Sequence, residues 1–187
     1  FLAPTIFAQV LNLGGTYQQT YWVLAGLGIP IALWMLFLSH SPSAPAEEES
    51  VTKGKGYLRK VLPMVVIAML FLFFYVGSEL TYGNWIYTYA LTMNLADVTQ
   101  AAYLTSGFWL SFTIGRAFSI FAAARFKAEH VLTIAFLGGI VALVLAIAAP
   151  QSINVLWAAT IGIGFFMAPI WATGYNLAGQ SIKLTAT

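Results

Sequence analysis

The chain has no cysteine, so it offers no disulfide and no thiolate to a metal. It also has very few charges. Of 187 residues, eight are Lys or Arg and six are Asp or Glu, which is 7% of the chain, against about 25% in a soluble domain. This scarcity excludes a soluble globular enzyme, because a small soluble domain leaves much of its surface wet. It excludes a nucleic-acid module, which needs a basic face. A disordered chain is excluded by the opposite excess, since 60% of the residues are hydrophobic and 16% aromatic. Catalytic signatures are lacking as well. There is no His-Glu-x-x-His, no Gly-x-Ser-x-Gly and no phosphate loop, and His40 and His130 stand ninety residues apart. No catalytic set, cofactor or metal site is expected.

The few charges are unevenly placed. Residues 1–46 have none, and seven charges fall within 47–60. From Val61 to Ala96 the only charge is Glu79; Asp97, Arg116, Arg125, Lys127 and Glu129 follow, and then only Lys183. Long uncharged runs between short polar clusters predict an all-α, polytopic helical membrane protein, with the lipid bilayer as its surroundings. A span needs about 20 mostly apolar residues. Five complete spans fit: Tyr21 to Leu38, Val61 to Leu91, Gln100 to Ala124, Val131 to Ala149 and Ile153 to Ala178. Phe1 to Leu13 reads as the end of another. Because the chain starts in mid-helix without Met or a charged n-region, it is expected to be a fragment rather than to open on a signal peptide.

Alternating spans put residues 40–60, 125–130 and the tail after 178 on one side. Seven of the eight basic residues lie in those stretches, and Arg116 sits in the half of its span nearest them. The opposite loops, 14–20, 92–99 and 150–152, contain no Lys or Arg. The basic side is therefore expected to be cytoplasmic. Residues 39–60 hold Pro42, Pro45, three consecutive Glu, Gly54 and Gly56. They read as a flexible cytoplasmic linker dividing residues 1–38 from 61–187, or else as an ordinary loop.

Three segments carry a family likeness. Phe73-Phe74-Tyr75-Val76-Gly77-Ser78-Glu79-Leu80-Thr81-Tyr82-Gly83-Asn84-Trp85-Ile86 resembles the seventh span of major facilitator superfamily transporters of the fucose-permease type. Tyr103-Leu104-Thr105-Ser106-Gly107-Phe108-Trp109, then Phe112-Thr113-Ile114-Gly115-Arg116, with Arg125-Phe126 beyond, resembles the eighth. Ala168-Pro169-Ile170 with Thr173-Gly174-Tyr175 resembles the tenth. Within that type the wording is most similar to the sodium-dependent glucose transporter branch. The resemblance implies a stretch from the end of span five to span ten of twelve, with the missing N-terminal half and spans 11–12 as partners in the same chain. It implies alternating access between two rocking halves, a sugar such as a hexose or fucose as solute, and Na⁺ or H⁺ as coupling ion. It places the protein in a plasma or cell inner membrane.

Glu79 is the first candidate for solute contact, because a charge at mid-bilayer costs about 2.5–3.5 kcal/mol and so usually faces a cavity or a partner. At 100° per residue, Tyr75, Glu79, Tyr82, Ile86 and Tyr89 share one stripe. A carboxylate accepts sugar hydroxyls, can exchange a proton and can contact a cation. The alternative is a structural Glu with tyrosines in an interfacial belt. Asn84 and Trp85 add an amide and a stacking face, but their directions differ from that of Glu79. Either Gly83-Asn84 unwinds the helix, or the two side chains pack elsewhere. Trp109 and Trp171 add further stacking faces, or simply packing. Arg116 shares a stripe with Ser106, Trp109 and Thr113, and Arg125 caps the span; Gly115-Arg116 with Arg125 resembles a degenerate form of the facilitator loop signature, which implies a cytoplasmic gate, the alternative being snorkelling. Pro169 should kink the last span and free carbonyls. Gly162 and Gly164 allow close helix contact. The remaining alternatives are a same-fold transporter of another small organic solute, or a non-transporting membrane scaffold or receptor-like relative.

Overall fold

The structure, a computed structural model, describes residues 2–37 and 55–186. The part of the expected linker up to Gly54 lies outside these residues. Six helices follow in order: α1 Leu2–Asn12, α2 Tyr17–Phe37, α3 Lys55–Thr92, α4 Val98–Arg125, α5 Ala128–Ala148 and α6 Ile153–Ala186. Among the described residues, five helices are long and apolar enough to cross a membrane, and α1 is a shorter apolar helix. The chain is an all-α, multi-pass integral membrane protein. Helix is the form that lets a single segment satisfy its own backbone where no water competes.

The helices overrun the expected spans. α2 begins at Tyr17 rather than Tyr21, α3 at Lys55 rather than Val61, and α6 continues past Ala178. Hydropathy marks the part of a helix that lipid covers, while the hydrogen-bond ladder continues into the polar flank. α3 also runs unbroken through Gly83-Asn84-Trp85. Gly83 is buried, and a Cβ there would lie 2.9 Å from the Trp109 ring and 3.1 Å from that of Phe108. This glycine admits a neighbouring helix instead of ending its own.

The turns at one end are closed by local hydrogen bonds. After α1, Gly14 adopts φ 75°, with Gly15 N–H donating to Val10 O at 2.8 Å and Gly14 N–H to Leu11 O at 3.0 Å. After α3, Asn94 adopts φ 53°, with Leu95 N–H donating to Ala90 O at 2.9 Å and Asn94 N–H to Leu91 O at 3.0 Å. Both are left-handed closures of the Schellman type, which Gly and Asn tolerate best. The Asp97 carboxylate then caps α4 by accepting from Gln100 N–H at 2.7 Å. Tyr89 at the end of α3 reaches Pro150 O at 3.4 Å, and Thr99 reaches Asn12 at 3.4 Å. The three loops without Lys or Arg therefore gather at one end of the bundle.

Glycines set the packing. α4 and α6 cross where a Cβ on Gly115 would lie 2.5 Å from Phe165 O, and one on Gly164 would meet Ser111 Oγ and lie 2.6 Å from Phe108 O. Phe165 is the residue whose carbonyl loses its ladder partner to Pro169, which has no N–H. Pro169 sits within the continuous α6, so the freed carbonyl is covered by Gly115 of the next helix. α5 joins through Gly138, which receives the Phe166 ring, and through Ala142 against Gly162. α3 lies across α4 and α6, and α1 against α4; among the described residues α2 packs on α1 alone.

Gly115→Ala and Gly164→Ala should each cost about 1–3 kcal/mol, because the added methyl has no room. Gly139→Ala, which meets nothing within 4 Å, should be neutral or slightly stabilising. Thermal unfolding in detergent distinguishes the three; equal shifts at all of them would contradict the glycine-crossing account.

Candidate functional site

The α3 stripe expected from the sequence is the face that docks on α4 and α6. Its register is set by two hydrogen bonds to the antiparallel α6. Near one end, Tyr82 Oη pairs with Thr160 Oγ1 at 2.8 Å; about two turns along, the Tyr75 hydroxyl donates to Met167 O at 3.1 Å. Tyr75 and Ile86 are buried, and Glu79 and Tyr82 are half-buried. Glu79 thus stands between these two ties, one turn from Tyr75. Thr160 is fully buried, so its hydroxyl depends on protein partners.

Arg116 lies closer to this level than its sequence position implies. Side chains on a helix slant toward its N-terminus, and the N-terminus of α4 is at the end without basic loops. The guanidinium therefore reaches back one turn and lies 4.7 Å from the centroid of the buried Phe112 ring. It lies on the side of α4 toward Tyr75 and Glu79, but it stays exposed, and the hydrogen bond of the Tyr75 hydroxyl goes to Met167 O. A carboxylate, a phenol and a guanidinium from two helices thus share one polar cluster inside the membrane-spanning region. Trp109 borders it, with its ring 5.8 Å from Phe112 and 5.0 Å from Phe108.

The other candidates are dispersed. With α3 continuous, Asn84 and Trp85 are both exposed on other flanks of the helix. Trp85 lines a small groove with Tyr89, Ile147 and Pro150. Trp171 is 43% exposed and stacks on Tyr175 at 5.7 Å with the rings 7° apart. Arg125 is exposed in the last turn of α4, away from the cluster. Among the described residues, no group of three or more His, Asp or Glu comes together. A larger cavity of about 770 Å³ opens between α3, α5 and α6, lined by Phe71, Phe74, Phe136, Ile140 and Met167 among others. Glu79, Trp109 and Arg116 do not line it. Tyr75 and Tyr82 line it as well, so the apolar groove and the polar cluster meet at the docking face of α3.

Sequence reasoning singled out Tyr75 for its stripe but missed its tie to α6, because a backbone carbonyl carries no mark in the sequence. Thr160 was also missed; a lone polar residue in the apolar run 155–170 is the signal that would have found it.

No protein-family profile and no solved structure matches the chain. Several curated proteins do. Sodium-dependent glucose transporter 1A of Mus musculus is 30% identical over 172 residues, which is 88% of this chain and 40% of that protein. Protein TsgA of Shigella flexneri is 28% identical over 173 residues, 89% of this chain and 42% of the relative. Major facilitator superfamily domain-containing protein 4A of Danio rerio is 36% identical over 108 residues, 57% of this chain and 20% of the relative. The chain spans about two fifths of the length of the first two.

The Tyr82–Thr160 tie is testable apart from any activity. Tyr82→Phe should destabilise the protein by about 1–2 kcal/mol, since it leaves a buried hydroxyl without its partner. Adding Thr160→Val should cost less than the two single changes summed, in a double-mutant cycle of unfolding midpoints. Strict additivity would mean that the hydrogen bond carries no stability.

Proposed function

Because the chain belongs to the major facilitator superfamily of transporters, we propose that it is part of a cation-coupled sugar transporter in which Glu79 lies on the solute path. The observation that carries this reading is the half-buried carboxylate inside a membrane span, one turn from the Tyr75 phenol on the same helix and on the side of α3 toward Arg116 of α4. Ionisable groups at such depth are costly, and they mark substrate or ion pathways. The name of the mouse relative, sodium-dependent glucose transporter 1A, favours a hexose and Na⁺. A proton is the other coupling ion that a lone carboxylate can hold.

The roles follow from side-chain chemistry. Glu79 accepts solute hydroxyls or holds the cation. Arg116 can only donate, so it suits a hydroxyl or ring oxygen on the same solute. Trp109, at the border of the cluster, offers a face to the apolar C–H side of a sugar, and the exposed Trp171 offers another. Tyr82 is committed to Thr160 and acts by fixing the height of α3. Asn84 and Trp85 meet solute only elsewhere on its path, or else pack against other helices. Arg125 suits a gate at the basic end.

Alternating access requires two groups of spans that separate at one end while closing at the other. Here α1 and α4 are joined at the end without basic loops, where Gln9 donates to Tyr103 Oη at 2.6 Å and Thr99 to Asn12 at 3.4 Å. We read this as a conformation closed at that end, so that solute leaves toward the basic, cytoplasmic side.

The protein in its full natural length should accumulate a labelled hexose in proteoliposomes when a Na⁺ or proton gradient is imposed. Glu79→Gln should lower gradient-driven uptake by about tenfold or more, the equivalent of at least about 1.4 kcal/mol. Uptake that survives the substitution would remove Glu79 from the path. Failure of folded protein to take up any sugar would reject the sugar assignment.

A further inference from the structure

We propose that the seam between α1 and α4, at the end without basic loops, is an entry site for a neutral, hydroxyl-rich solute. The solute's hydroxyls replace the hydrogen bonds of Gln9, Asn12, Thr99 and Tyr103 and so part the two helices. This rests on the reading of the chain as part of a sugar transporter, and it adds a site apart from the cluster around Glu79.

The seam is laced by uncharged groups. Gln9 Nε2 donates to Tyr103 Oη at 2.6 Å, and Thr99 Oγ1 donates to Asn12 Oδ1 at 3.4 Å. Gln9 and Asn12 are three residues apart on α1, and Thr99 and Tyr103 four apart on α4. The bonds therefore lie one above the other on facing stripes. Ala8, one turn before Asn12 on its stripe, is 0% exposed, so the seam is dry beside its hydrogen bonds.

These bonds use only part of what the groups offer. Tyr103 accepts from Gln9 and keeps its own proton, Gln9 keeps its carbonyl oxygen, and Asn12 keeps its amide N–H groups. Gln9 and Asn12 are exposed and Tyr103 is half-buried, so a solute arriving at this end meets donors and acceptors together. The acidic side chain nearest in sequence, Asp97, is engaged in capping α4. The loops of this end contain no Lys or Arg. Such a surface suits a neutral polyol rather than an ion.

A hydrogen bond between exposed neutral groups holds weakly, because water competes for both partners. Several hydroxyls on one solute compete better than separate waters, since only one body is immobilised. The seam also leads somewhere. Three residues inward from Tyr103, Ser106 begins the α4 stripe that continues through Trp109 to Arg116. Trp109 is six residues from Tyr103, about 9 Å along the helix axis.

The protein in its full natural length carries the test. Tyr103→Phe removes the phenol from the seam, and Gln9→Leu removes its partner on α1. Each should raise the KM for hexose uptake about fivefold. A lower maximal rate at unchanged KM would make the seam a latch alone and overturn the entry site. Asn12→Cys with Thr99→Cys, joined by a short thiol cross-linker, should stop uptake until the linker is cut. Uptake that continues through the link would overturn the proposal as well.

A second readout needs no transport. In Ala8→Cys, a small water-soluble thiol reagent reaches the sulfur only when the seam parts. Adding Tyr103→Phe or Gln9→Leu should speed that labelling about threefold, and hexose should do the same without them. Labelling that none of the three changes, or a gain in Tyr103→Phe that Gln9→Leu does not share, would count against the seam. If one variant fails to fold, the other decides by the same shifts. If folded protein takes up no hexose, the transport reading fails, and the labelling response to hexose decides the entry site by itself.

Discussion

The crossing of α4 over α6 is the contact on which the rest of the bundle depends. In hydrocarbon there is little hydrophobic drive between helices, because lipid tails are as apolar as leucine. Association then relies on close approach and on buried polar ties. Gly115 lets α4 come down onto Phe165 O, Gly164 lets α6 come down onto Phe108 O and Ser111, and Gly107 receives the Trp157 ring. With that pair fixed, one shared face remains for α3, and Gly83 fits the Trp109 and Phe108 rings at its centre. α5 is then positioned from α6, through Gly138 and Gly162.

That geometry decides the electrostatics. Docking α3 at the height fixed by Tyr82–Thr160 and Tyr75–Met167 places Glu79 opposite the stretch of α4 over which Arg116 slants back. The charge is neither left in lipid nor tied in a structural pair at the membrane surface. It sits near groups that can accept, donate or stack, and the apolar groove, which Glu79 does not line, begins at the neighbouring Tyr75 and Tyr82. A membrane protein that needed only stability would gain nothing from a carboxylate at this depth.

Much of this was legible in the sequence, and the limits are physical. The span count and the alternation of sides follow from where fourteen charges do and do not occur, since the bilayer is strict about charge. The stripe Tyr75–Glu79–Tyr82–Ile86 was legible because helical period alone generates it. Helix ends were less so: Lys55 begins α3 in a polar stretch, where hydropathy has no signal but the backbone ladder persists. Gly83-Asn84 could mean a broken helix or a seat for a neighbour, and only the Trp109 and Phe108 rings distinguish the two. The seat of the Arg116 guanidinium over the Phe112 ring was hidden because sequence gives the height of a Cα, not of a guanidinium several ångströms along the helix from it. The Tyr75–Met167 bond was out of reach altogether, since its acceptor is backbone.

The most direct test of the account is solute protection of a single introduced cysteine, for which this cysteine-free chain is suited. Thr113 is exposed on α4, one turn from Trp109 and three residues before Arg116, whereas Gly139 lies on the apolar groove with open space before it. In Thr113→Cys, a small water-soluble thiol reagent should label the protein, and under the proposed function a hexose together with Na⁺ should slow that labelling. In Gly139→Cys, the sugar should change nothing. Protection at Gly139 and none at Thr113 would put the solute on the other flank of α3 and contradict the assignment of the path to Glu79, Trp109 and Arg116.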